Sequence, residues 1–263
     1  AATNSTDTTI CFVSADIGMG SDLLTFRVVE RLDDLLSERK NLCKIENLSI
    51  SGTHTHSGPA GFLQYVLYQF TSLGFVKETF NTFVEGIAQS LLRAQLNMKE
   101  TDIMINTGLL FGANINRSPT SYLENPLSER MFYESEGDTD KTMLLLKFQA
   151  KDTKADIGLL NWFAVHGTSM NNTNLLVSSD NKGYASYLAE KHFNGNSTLP
   201  GRGDFVAAFA STNLGDVSPN TAGAKCIDTG LPCDDKSSSC DGNSLKCIGS
   251  GPGNDMFQST EII

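Results

Sequence analysis

The sequence contains no long hydrophobic run. Its 263 residues include no stretch close to the roughly 20 apolar residues that a membrane-spanning helix needs, so no such helix is expected. The chain also opens without a Met or an apolar signal segment, because Ala1 leads into the polar run AATNSTDTT. We therefore expect either a chain whose leader was removed or a piece of a longer protein.

Positive charge is scarce and scattered along the chain. There are 20 Lys and Arg residues against 30 Asp and Glu residues, which gives a formal net charge of −10. Nucleic acid is excluded as a partner, because neutralising phosphates needs a concentrated cationic patch. With 40% hydrophobic and 19% charged residues, the composition is that of a soluble globular protein with one large domain or two small ones.

The six cysteines include no CxxC pair, which argues against a zinc ribbon. Cys11 and Cys43 stand alone in apolar stretches and are predicted to be buried thiols. The other four follow one another every seven residues through a segment rich in Gly, Ser and Asp: Cys226, Cys233, Cys240 and Cys247. We expect two disulfides that staple a surface loop with a structural role, and hence an oxidising compartment.

Five Asn-X-Ser/Thr sequons agree with a route through the secretory pathway, because they are acceptors for N-linked glycans. They are Asn4, Asn47, Asn116, Asn171 and Asn196. Extracellular, cell-surface and Golgi or endosomal locations all fit this combination.

Strand and helix patterns alternate, which predicts an α/β fold with a mixed sheet and flanking helices. Strands are predicted at TICFVSADIG, CKIENLSISG, TDIMINTGLLFG, KTMLLLKFQ, ADIGLLNWFAVHG and DFVAAFAST. Helices are predicted at SDLLTFRVVERLDDLLSER, with Ser21 as N-cap, and at YVLYQFTSLG, KETFNTFVEGIAQSLLRAQLN and NKGYASYLAEKHF. The second of these lies in the apolar stretch GFLQYVLYQFTSLGF, which could touch lipid but is predicted to be a buried helix.

Polar residues collect where the predicted strands stop. They are Asp16, His54, His56, His166, Asp216 and Ser218. Sites in open α/β sheets form in the crevice beyond the carboxyl ends of strands, so these residues are expected to meet in one site.

Three of the four histidines are in this set. His54 and His56 stand at i and i+2 in THTH and can reach one cavity, and His166 follows another apolar strand. Imidazole is the commonest zinc ligand, so we interpret the trio as a metal site. The alternative is that these histidines are structural and donate to backbone carbonyls. His192, in a polar helical stretch, is predicted to be a surface residue.

Ser218 and Arg117 are weaker candidates when judged on local sequence. Ser218 could be a nucleophile or bind a substrate hydroxyl, but it also fits a turn serine before Pro219, and the GxSxG signature is absent. Arg117 could bind an oxyanion or simply pair at the surface.

Seven stretches taken together resemble the neutral ceramidase family, whose members cleave ceramide to sphingosine and a fatty acid. They are VSADIGMGS, SGTHTHSGPAG, NINRSP, NWFAVHGTSMNN, SSDNKGYASYL, FVAAFASTNLGDVSPN and GPGNDMFQST. They run in family order from about residue 12 to the end of the chain. The resemblance also implies interleaved disulfides, which join Cys226 to Cys240 and Cys233 to Cys247.

The resemblance implies a role for each candidate residue. His54 and His166 match zinc ligands, and His56 matches a histidine that contacts the reacting amide rather than the metal. Arg117 matches an arginine that lines the same pocket. Ser218 matches the family's proposed nucleophile, although a zinc-bound water has also been given that role.

The chain departs from the family pattern in what it lacks. The family completes its zinc site with a glutamate and a tyrosine that would lie beyond Ile263, and its glycine-rich start and C-terminal immunoglobulin-like domain are absent. Residues 1–263 are thus expected to be an incomplete N-terminal catalytic domain. The expected partner is ceramide presented from a membrane or a micelle. The alternatives are another N-acyl lipid as substrate, or a truncated product without activity of its own.

Overall fold

The alternation of strands and helices expected from the sequence is present in the computed structural model, which describes residues 2–3, 9–37 and 39–263. The strands are β1 (Ala2–Thr3), β2 (Thr9–Ala15), β3 (Leu48–Gly52), β4 (Thr101–Leu109), β5 (Ile115–Asn116), β6 (Thr142–Ala150), β7 (Asp156–Phe163), β8 (Val206–Ser211), β9 (Val217–Ser218), β10 (Ala224–Cys226) and β11 (Cys247–Gly249). The helices are α1 (Asp22–Leu36), α2 (Val66–Thr71), α3 (Lys77–Leu96), α4 (Pro119–Leu123), α5 (Leu127–Arg130), α6 (Asp180–Asn194) and α7 (Met256–Ile262), with 3₁₀ turns at Met131–Tyr133 and Ser244–Lys246. The predicted sequon at Asn4 lies outside the described residues.

The first sheet has the order β1-β2-β3 and supports an apolar core. Strand β2 pairs in parallel with β3, and helices α1 and α3 pack together beside this sheet. Ser21 caps α1 as predicted, because its Oγ accepts a hydrogen bond from Leu24 N at 3.4 Å. The buried side chains of this apolar core are Cys11, Val13, Ala15, Ile17, Leu24, Val28, Val29, Leu32, Leu36, Cys43, Leu48, Phe62, Phe80, Ile87 and Leu91.

The second sheet has the order β4-β6-β7-β8 and carries α6 against β8. Its β4–β6 and β6–β7 pairs are antiparallel and its β7–β8 pair is parallel, so the predicted mixed sheet with flanking helices is confirmed. The two sheets approach each other where Phe12 and Trp162 lie with ring centroids 5.4 Å apart. At the carboxyl ends, Ser211 Oγ donates to Thr53 O at 3.4 Å, which brings the end of β8 to the end of β3.

The interleaved pairing implied for the last four cysteines is confirmed. Disulfides join Cys226 to Cys240 and Cys233 to Cys247, on and beside the antiparallel β10–β11 pair. The prediction of buried thiols at Cys11 and Cys43 is wrong, because these residues form a third disulfide. Both are fully buried, as expected. The β2–β3 register brings the segment that contains Cys43 against β2, and local sequence does not predict this long-range contact.

The prediction of a buried helix in GFLQYVLYQFTSLGF is also wrong. Helix α2 has only six residues, and none of them is buried. Val66 and Phe70 are 81% and 83% exposed. The two ends of this segment meet, because Val76 N donates to Gly61 O at 2.7 Å. Helix α2 between them contributes no side chain to the apolar core. No described helix combines the length and apolar character needed to cross a membrane.

Candidate metal centre

His54 is held by the turn that follows β3. Gly52 ends that strand in close contact with the turn after β2, where a Cβ would lie 2.9 Å from Ile17 O. His54 adopts φ 65° and donates its backbone N–H to Ile17 O at 3.1 Å. Its ring Nδ1 lies 2.5 Å from Gly18 O, an acceptor, so Nδ1 carries the proton and Nε2 is left as a free lone pair.

His166 is held three residues beyond the end of β7. It is 4% exposed, and its Nδ1 lies 2.8 Å from Leu214 O, which again fixes the proton on Nδ1. Gly167 allows the two histidine loops to approach, because a Cβ there would lie only 2.4 Å from His54 O. Thr55 and Gly167 form a parallel bridge, in which His56 N donates to Gly167 O at 3.1 Å.

The three imidazoles converge through their Nε2 atoms. His56 Nε2 lies 3.2 Å from His54 Nε2 and 3.3 Å from His166 Nε2. Since His54 and His166 both present lone pairs, a single proton on His56 Nε2 can satisfy only one of these two contacts. A cation that takes up the lone pairs of His54 and His166 removes this conflict, and the ligand nitrogens of the three rings lie within 4.8 Å of one another, close enough for one ion to reach. The donor set therefore fits a metal ion such as zinc.

The surroundings of His56 and His166 lower the pKa values of these two rings, which favours the neutral form that binds metals. Burial lowers the pKa of His166 to about 4, more than the hydrogen bond to Leu214 raises it, and a proton gained by His54 and the charge of Arg117 each lower it further. Burial is likewise the main reason that the pKa of His56 is lowered, followed by His54 and Arg117. The guanidinium of Arg117 is thus within electrostatic reach of the histidines.

Arg117 and Ser218 are placed together by the short β5–β9 pair. Ile115 lies opposite Ser218 in this pair, and Arg117 N donates to Asp216 O at 2.8 Å. Both residues line a cleft of about 290 Å³, together with Asp234 and Asp235 of the stapled loop. Ser218 Oγ accepts from Asn220 N at 3.1 Å and makes no hydrogen bond to the three histidines within the described part of the chain.

The other predicted positions lie outside the cluster. Asp216 contributes its backbone carbonyl to Arg117, whereas Asp16 lines a separate cleft beside Tyr184 and Glu190. His192 is exposed near the end of α6, as predicted.

Sequence reasoning missed three buried polar residues at the start of α6. Asp180, Asn181 and Lys182 are 1%, 4% and 3% exposed and bond to the backbone around His166. The stretch SSDNKGYASYL contributes only to the family resemblance. A run of Asp, Asn and Lys at a helix start is typical of a solvated first turn, so local sequence gave no sign that it would be buried.

The fold and the site define a mixed α/β protein with a candidate three-histidine metal centre at the carboxyl ends of its strands. Comparison with known families identifies the family to which this protein belongs. The model of the neutral/alkaline non-lysosomal ceramidase N-terminal region matches residues 1–263. The chain belongs to this family, which confirms the resemblance.

Curated relatives are similar along nearly the whole chain. A neutral ceramidase of Drosophila melanogaster is 47% identical over 254 residues, which is 97% of this chain and 35% of that protein. Neutral ceramidase A of Dictyostelium discoideum is 46% identical over 253 residues, covering 96% and 35%. The chain thus spans about a third of the length of these relatives.

Solved structures share the fold. A ceramidase complexed with C2 matches with a TM-score of 0.74 and 35% identity, over 95% of this chain and 33% of that one. The crystal structure of neutral ceramidase from Pseudomonas aeruginosa matches with a TM-score of 0.71 and 35% identity, over 95% and 34%.

Proposed function

We propose that this chain supplies the histidine centre of a zinc-dependent amidohydrolase that cleaves the N-acyl bond of ceramide, giving sphingosine and a fatty acid. The observation that carries the proposal is the convergence of three Nε2 atoms in a chain of the ceramidase family. The Nε2 atoms of His54 and His166 have free lone pairs, because each ring donates its Nδ1–H to a backbone carbonyl. Such a hydrogen bond from the other ring nitrogen is usual for zinc-binding histidines.

His54 and His166 are the proposed zinc ligands, and the remaining ligands are proposed to lie beyond Ile263. Each of the two donates Nδ1–H to a backbone carbonyl, whereas no described residue accepts from His56 Nδ1. His56 is also the most exposed of the three, so it is the ring best placed to face a substrate amide. Bound there, zinc would polarise the amide carbonyl and lower the pKa of a water molecule.

The other residues would move protons and stabilise charge. Hydrolysis breaks the amide C–N bond, adds hydroxide to the acyl carbon and adds a proton to the departing amine. Burial lowers the pKa of His56 and so favours its neutral form, which can accept a proton from the nucleophile and deliver it to that amine. Arg117 would stabilise the negative charge that develops on the carbonyl oxygen. Ser218, in the adjoining cleft, would attack the amide or bind a substrate hydroxyl.

Ceramide is proposed to reach the site from a membrane or a micelle, and the protein is proposed to pass through the secretory pathway. Three disulfides support an oxidising compartment. Asn171 and Asn196 are exposed sequons, whereas Asn47 and Asn116 use their amide N–H groups in hydrogen bonds to backbone carbonyls. Expression in a secretory host followed by glycopeptide mass spectrometry should therefore find glycans at Asn171 and Asn196 rather than at Asn47 and Asn116.

The test is ceramide hydrolysis by this chain and by a version extended through the length of its relatives, with zinc content measured in parallel. We expect the extended protein to cleave ceramide and to lose at least about 100-fold in turnover with His56→Ala or Ser218→Ala. Thr82→Ala, at an exposed position of α3, is a control that should retain activity. Cleavage of other N-acyl lipids but not ceramide would contradict the substrate class, and a folded extended protein without amidase activity would contradict the proposal altogether.

A further inference from the structure

The first turn of α6 buries three consecutive polar side chains. Asp180, Asn181 and Lys182 are almost completely inaccessible, although residues of these types are rarely buried unless they have partners. Burying them is costly unless hydrogen bonds replace water, so their partners show what their burial achieves.

All three bond to the backbone segment that carries His166. Lys182 Nζ donates to Phe163 O at 2.8 Å, before the histidine. Asn181 Nδ2 donates to the carbonyl of His166 itself at 2.9 Å. Asp180 accepts from the amides of Ser169 at 3.1 Å and Met170 at 2.9 Å, after the histidine.

The bonds are needed because β7 stops pairing with β8 at Phe163. Residues 164–166, between that point and the bridge at Gly167, have no strand partner among the described residues, and their buried carbonyl and amide groups must find other partners. Asn114 Nδ2 supplies one at Ala164 O, at 2.6 Å. The three residues at the start of α6 supply one at His166 itself and others on both sides of it.

We infer that Asp180, Asn181 and Lys182 form a positioning clamp that holds His166 in its metal-binding orientation and so sets the metal affinity of the centre. The inference rests on the proposed function in that it takes the three histidines to be a metal site. Asn181 is its central member, since it bonds to the carbonyl of His166 directly. None of the three is a catalytic residue, because they contact backbone rather than the reacting groups.

Asn181→Leu is the direct test, because it removes the donor to His166 O and keeps a side chain of similar size. Asn194→Leu is the matched control: Asn194 ends the same helix and donates to Phe205 O at 2.8 Å, away from the histidines. Competition against a chromophoric chelator would give the zinc affinity of each variant, made in the version extended through the length of the relatives because further ligands are proposed beyond Ile263. We expect Asn181→Leu to weaken zinc binding by about 10- to 100-fold, as for other outer partners of metal ligands, and Asn194→Leu to change it less than twofold.

Lys182→Met is a second variant that keeps the test decisive if Asn181→Leu does not fold. It should also weaken zinc binding, and the absorption spectrum of bound Co²⁺ should change with it, since that spectrum reports ligand geometry. Equal zinc affinities in folded Asn181→Leu, Lys182→Met and Asn194→Leu would overturn the inference.

A readout without metal separates this inference from the proposed function. Long-range ¹H–¹⁵N spectra of the imidazoles report which ring nitrogen of His166 carries the proton. If the parent chain binds no zinc, the metal-site proposal fails, but the clamp is still tested by this signal. A loss of the single Nδ1–H form of His166 in Asn181→Leu, with Asn194→Leu unchanged, supports positioning by the clamp. An unchanged signal in both overturns it.

Discussion

The histidines are supplied by two regions that hold them in different ways. His54 and His56 follow a strand of the apolar core, where close packing of Gly52 and the β2–β3 register fix the turn. His166 follows the second sheet, beside which a small hydrophobic cluster has only three buried side chains among the described residues, those of Ala113, Phe163 and Val165, so buried polar side chains hold the backbone instead. The comparison shows that close apolar packing is enough to position a side chain such as His54, which follows a strand of the apolar core. Where a strand simply ends, the backbone needs specific polar partners.

The largest effect should come from opening the disulfide of the apolar core. Replacing Cys11 and Cys43 by Ala removes a link between residues 32 apart, and the chain-entropy estimate for such a loop is about 4 kcal/mol of the free energy of unfolding. Urea unfolding of the double variant would measure it. A loss below about 1 kcal/mol would contradict the contribution of this link to the apolar core.

A cavity in the same core should have a slightly smaller effect. Leu24 is fully buried between α1 and its neighbours, so Leu24→Ala should lower the free energy of unfolding by about 3 kcal/mol. Leu188→Ala, at a 42% exposed position of α6, is the control and should cost less than about 0.5 kcal/mol. Equal losses in the two variants would contradict the assignment of the core.

Lys182 should give the polar region a pH dependence that the apolar core lacks. Burial lowers the pKa of Lys182 to about 7 in the folded protein, whereas an unfolded lysine titrates near roughly 10.4. Between these values the unfolded chain binds more protons, so the contribution of Lys182 to the free energy of unfolding rises with pH and is constant below about 7.

Lys182→Met removes this dependence. The free energy of unfolding of the parent chain minus that of the variant should increase by about 2 kcal/mol between pH 7.5 and pH 9, at about 1.4 kcal/mol per pH unit. Urea titrations at both pH values would measure this difference. A difference that is flat or falls with pH would show that Lys182 is not a desolvated lysine.

The strands and helices could be predicted from the sequence better than the long-range contacts between them. The α/β alternation and the Ser21 cap depend on local periodicity and local hydrogen bonds, and both are confirmed. The Cys11–Cys43 disulfide, the exposure of α2 and the burial of Asn181 were not predicted, because each depends on segments distant in the sequence. The meeting of His54, His56 and His166 was expected from their positions after strands, but the carbonyls that orient two of the rings belong to Gly18 and Leu214, which carry no side-chain signal.

The most direct measurement is a zinc titration of a parent chain extended through the length of its relatives, and of its His166→Ala and His192→Ala variants, at pH 7. Our account predicts that the parent chain and His192→Ala bind one zinc ion equally well. His166→Ala should bind it more than about 100-fold more weakly, since loss of a ligand exceeds the 10- to 100-fold effect of losing an outer partner. A parent chain that binds no zinc, or a His166→Ala variant that binds it as tightly as the parent, would contradict the assignment of the three histidines as a metal centre.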